Sequence, residues 1–115
     1  MSASIRDIVQ FGDTPDKGPV YNRSQSVAAI AYLKILNVNP GRKFLFIKPL
    51  AHPVRVHFLS PDVTESGAGF VVSDANSIII HAGNADPFLM FDKFVPTNAV
   101  YMKANSTTDV AIYEA

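Results

Sequence analysis

The sequence predicts an all-β fold: an antiparallel β-sandwich or jelly-roll-like barrel of about seven to eight strands with an extended N-terminal arm. Three observations predict it. From Val27 onward, short apolar runs are broken by turn residues every ~8–12 positions. β-branched and aromatic residues dominate those runs and prolines punctuate them, which leaves no room for a long helix. A hydrophobic fraction of 48% against 17% charge belongs to a chain that buries a core.

Residues 1–26 read as the arm and residues 27–115 as the sandwich domain. Within the arm, Ser4 opens a stretch to Gln10 in which Ile5, Ile8 and Val9 share one helical face, at most about two turns long. Phe11 to Arg23 holds Gly12, Pro15, Gly18 and Pro19 and reads as extended. The first predicted strand runs from Ala29 to Val38, with Ile30, Tyr32 and Lys34 on one side and Ala31, Leu33 and Ile35 on the other. Asn39-Pro40-Gly41 ends it with turn chemistry. Lys43 to Leu50 follows, and then Val54, Val56 and Phe58 alternate with Arg55, His57 and Leu59, an apolar face against a partly wet one. Ser60 through Gly69 is a loop by composition. Phe70–Val72 and Ser77–His81 are expected as short strands around a hairpin turn at Asp74-Ala75-Asn76. Asp86 to Phe94 packs Phe88, Leu89, Met90, Phe91 and Phe94 together without a readable period. The last two strands, Ala99–Lys103 and Asp109–Tyr113, are joined by Asn105-Ser106-Thr107 and pair Val100 and Met102 with Val110 and Ile112.

At 115 residues the chain fits one domain. Ten basic residues balance ten acidic ones, so no overall field condenses the protein onto nucleic acid or an anionic membrane. With no cysteine, neither disulfides nor thiolate metal sites contribute. The opening MSASIRDIVQ has no apolar run of signal-peptide length, so export is not expected. The longest nearly uncharged stretch, Ser24 to Leu33, falls well short of the ~20 apolar residues of a membrane helix. Near-zero net charge with positive mean hydropathy suits a protein buried in an assembly better than a freely diffusing monomer.

Catalytic chemistry finds little to use. His52, His57 and His81 sit in no metal-ligand spacing, and the chain has no G-x-S-x-G elbow and no Cys–His pair. Gly67 and Gly69 form a G-x-G that opens no helix, so a flexible turn accounts for them better than a phosphate cradle. Asp74, Asn76 and Asp86 lack EF-hand spacing and read as turn formers. Arg42 and Lys43, near Phe44, Phe46 and Lys48, come nearest to a nucleic-acid stripe and read as a solvated strand edge. No cofactor and no metal are expected, and the chain is read as a non-enzyme.

The order of segments resembles small virion structural proteins of tailed bacteriophages. The likeness is carried by Asn39 to Lys48 (NPGRKFLFIK), by Val54 to Phe58 (VRVHF), by Phe94 to Tyr101 (FVPTNAVY) and by the last strand, Thr108 to Glu114. It implies a non-enzymatic role on the particle, as a capsid decoration or cement protein or a head-fibre or tail component. The implied partners are the major capsid protein or other virion proteins, with a homo-oligomer expected and neither nucleic acid nor membrane. The implied location is the virion, after synthesis in the host cytoplasm. The residues expected to hold the protein in place are in the arm: Ile5, Ile8, Val9, Phe11, Val20 and Tyr21 expose too much apolar surface to stay in water, and lie either on their own sandwich or on a neighbouring subunit. The competing expectation is a carbohydrate- or receptor-binding module whose Tyr21, Tyr32, Tyr101 or Tyr113 stack on sugars; the absence of Trp counts against it.

Overall fold

A computed structural model describes residues 19–67 and 69–115. The expected helix from Ser4 to Gln10 and most of the extended arm lie outside them. Among the described residues there are nine strands: β1 Tyr21–Asn22, β2 Gln25–Val27, β3 Leu33–Leu36, β4 Phe44–Pro49, β5 Val54–Phe58, β6 Ile78–Ile80, β7 Phe88–Phe91, β8 Val100–Ala104 and β9 Thr108–Glu114. They form two antiparallel sheets. Sheet A runs β1–β9–β4–β7, with β2 also pairing β9, and sheet B runs β3–β8–β5–β6. The all-β class and the sandwich are therefore as the patterning predicts, and both sheets keep open edges instead of closing into a barrel.

Alternation in the central strands decides which face is buried. Leu45 and Ile47 of β4 and Val110 and Ile112 of β9 meet Val54 and Val56 of β5 and Val100 and Met102 of β8, all essentially without solvent contact. Each such side chain contributes roughly 1.5–3 kcal/mol by leaving water. A second, smaller apolar cluster of Leu59, Ala99 and Tyr101 lies apart from the main core, where Tyr32, Val63, Phe70 and Val72 pack on it.

Four sequence expectations need correction. The strand expected over Ala29–Val38 is only β3, Leu33–Leu36. Ala28 accepts a backbone hydrogen bond from Ala104, the chain then bends, and Ile30 stands 93% exposed. Phe70–Val72 is no strand: Phe70 N–H closes a turn on Gly67 and the Asn76 side chain donates to the Val71 carbonyl. Asp74–Asn76 is a single 3-10 turn instead of a two-strand hairpin loop. Finally, β8 and β9 do not pair. They belong to opposite sheets, so Val100 and Met102 face Val110 and Ile112 across the core.

Two further segments gain definition. Asp86 to Phe94 resolves into edge strand β7 and a 3-10 turn over Asp92–Phe94. The segment Tyr21–Val27, which composition assigns mostly to the arm, forms β1 and β2 along β9, Tyr21 opposite Glu114 and Val27 opposite Thr108. The turn at Asn39 behaves as expected: its side-chain oxygen accepts from Gly41 N–H at 3.2 Å and its carbonyl from Arg42 N–H at 3.0 Å.

Candidate interaction surface

At one end of sheet A, β9 finishes beside the turn that opens β4, and a buried charge cluster forms there. The Arg42 side chain, 0% exposed, donates from Nε to Glu114 at 2.9 Å. Its Nη1 donates to the carbonyls of Pro96 at 2.7 Å and Asn98 at 3.0 Å, and its Nη2 to the carbonyl of Asn37 at 2.9 Å. Arg23 donates to the other Glu114 oxygen at 3.0 Å and Asn39 adds a 3.4 Å bond. Burial pushes the Glu114 carboxyl up, but hydrogen bonds from Arg42, Arg23 and Asn39 outweigh it and hold the group below its usual value. The reading of Arg42 as part of a solvated strand edge is thus corrected: its fork of donors ties three loop carbonyls and the end of β9 together.

Around this cluster the surface turns apolar. Phe44 at the start of β4 lies opposite Phe91 at the end of β7, and Phe91 leads into the turn that leaves Phe94 72% exposed. Val38, which precedes the Glu114-bound Asn39, is also exposed, as is Tyr21 at the chain's entry into sheet A. Tyr21 carries the Arg23 guanidinium over its ring at 5.0 Å. Among the expected binding residues, Val20 is half-buried and Tyr21 belongs to this rim, whereas Ile5, Ile8, Val9 and Phe11 lie outside the described residues. Patterning alone misses Val38, Phe91 and Phe94 as surface residues, because an apolar side chain in a β-rich sequence reads as core.

The outer face of sheet B has a different character. Asp74 accepts from Tyr32 Oη at 2.7 Å and pairs with Lys103 at 3.1 Å and Arg55 at 3.7 Å. The Tyr32 and Lys103 hydrogen bonds hold the Asp74 carboxyl below its usual value. Ile30, Tyr32, Phe70, Val71 and Lys103 border a wide open depression of about 920 Å³. It is poorly suited to sugar stacking. Lys103 already covers the Tyr32 ring at 5.1 Å, and Tyr101 is buried edge-on against Phe70 at 5.6 Å. Tyr113 packs against Phe46 on sheet A and Tyr21 lies on that sheet too, so the four tyrosines do not share one face.

His52 and His81 are exposed, and the His57 ring nitrogen Nδ1 is 2.7 Å from the Asn76 carbonyl. Among the described residues no three His, Cys, Asp or Glu side chains come together in a metal-binding group, and no helix is long and apolar enough to cross a membrane. No family model matches the chain, and no curated protein or solved structure is similar to it.

Proposed function

We propose that this chain is a non-enzymatic structural protein of a bacteriophage particle, a capsid decoration or stabilising protein that attaches through its N-terminal arm and its sandwich surface. The observation that carries this reading is the apolar rim at the Glu114 end, where Val38, Phe91 and Phe94 stay exposed beside the point at which the arm joins sheet A. Exposed apolar patches of this kind mark contact surfaces. The resemblance of segment order to small virion proteins supplies the setting. Its partners are then the major capsid protein or other virion proteins, and further copies of itself. A receptor- or carbohydrate-binding role has less support, since the tyrosines are divided between two sheets.

The test is compositional. Density-purified particles of the phage that encodes the chain are expected to contain it in many copies by quantitative mass spectrometry, and to release it only under conditions that also weaken the shell. Its absence from purified particles ends the proposal, and a submillimolar hit on a glycan array would replace it with the carbohydrate reading.

A further inference from the structure

The described chain starts at residue 19, and eighteen residues precede it. Tyr21 lies opposite Glu114, and β1 runs antiparallel to β9, so the preceding residues leave sheet A at the Glu114 end. That is the end where Phe44 faces Phe91, where the following turn exposes Phe94, and where Val38 leads into Asn39. From β1, where the segment enters the sheet, to β7 is three strand spacings, about 14 Å. Residues 12–18 extended reach about 23 Å. Phe11, Val9, Ile8 and Ile5 therefore all come within range of Phe91 and Phe94.

We infer that this apolar end is the seat of the protein's own residues 1–18 in the free chain. The chemistry matches on both sides. The segment offers Ile5, Ile8, Val9 and Phe11, and the end offers Tyr21, Val38, Phe91 and Phe94. The same chain supplies the occupant because a tether of this length gives an effective concentration of order millimolar, above that of free copies in dilute solution. The free protein thereby covers the patch that the proposed attachment uses, and docking on a particle exchanges the arm for a partner surface. Only that exchange rests on the proposed function; the seat itself is a property of the isolated protein.

The chain has no Trp, so Phe94→Trp introduces a single reporter. In the full chain its emission is expected to be blue-shifted and quenched by acrylamide several-fold less than in the same chain also carrying Ile5→Asp, Ile8→Asp and Val9→Asp, with no dependence on protein concentration. Far-UV circular dichroism verifies the fold of both, and Phe91→Trp serves as the reporter if Phe94→Trp disturbs the end. Equal emission and quenching with and without the arm charges overturns the inference. So does protection that appears only as concentration rises, which assigns the seat to a second copy. Failure to find the protein in particles leaves this result untouched, so the two ideas fail separately.

Discussion

Two carboxylates in this molecule are each held by two cations, and they do different work. Glu114 sits between Arg42 and Arg23 with its side chain 7% exposed, whereas Asp74 sits between Lys103 and Arg55 with half of its side chain in water. The charge count is the same. What differs is the solvent: water screens the Asp74 set, while Glu114 and Arg42 are desolvated and must be satisfied by geometry, with Arg23 reaching in from a half-exposed position. Arg42 meets that demand by spreading its donors over Glu114 and the carbonyls of Asn37, Pro96 and Asn98. The first cluster fixes the end of the sandwich, and the second decorates a face.

Breaking the buried member should have the largest effect. Glu114→Gln leaves the Arg42 guanidinium buried without its counter-charge and is expected to cost about 3–5 kcal/mol, read as a drop in the urea midpoint; an unchanged midpoint would show that the cluster is not a clamp. Acid should have a smaller effect of the same kind. The folded Glu114 group titrates below its ordinary value, so its stabilisation is complete above the unfolded pKa of about 4.3 and disappears as pH falls through the lower folded value. The gap in urea midpoint between the parent and Glu114→Gln should accordingly narrow as pH drops below about 4; a constant gap would mean that the carboxylate charge is not what matters. The smallest effect belongs to Asp74→Asn, whose urea midpoint at moderate salt should be inseparable from that of the parent, with any difference confined to low ionic strength. A large, salt-independent loss there would erase the contrast between the two sites.

The parts of the fold legible from sequence are those in which one strand face is apolar and the other is not. Val54 and Val56 against Arg55 and His57 define β5, and Val110 and Ile112 against Asp109 and Ala111 define β9. Periodicity reports which residues point inward, but it is silent about which strand lies alongside. That is why the patterning of β8 and β9 matches Val100 and Met102 with Val110 and Ile112 but does not reveal that the two strands belong to opposite sheets. The Ala29–Tyr32 segment alternates like a strand but is held by a distant contact, Tyr32 Oη on Asp74 and Ser77. The candidate surface is less legible still. Arg42 looks like any surface arginine until Glu114, far along the chain, is brought to it, and the exposure of Phe94 depends on the turn that follows β7.

The position of β9 has a consequence for how the chain comes to be folded. This strand lies between β4 on one side and β1 and β2 on the other, so β1, β2 and the β4–β7 ribbon join into one sheet only through it. During synthesis, β1, β2 and the β4–β7 ribbon emerge from the ribosome long before their shared partner does. Pairing across such separations is slow to nucleate, and until Thr108 to Glu114 is available the nascent chain presents Leu45, Ile47 and Phe88 to water as a half-built ribbon. The interval before β9 becomes available is therefore when this protein is most exposed to misassembly and when chaperones would gain most by holding it.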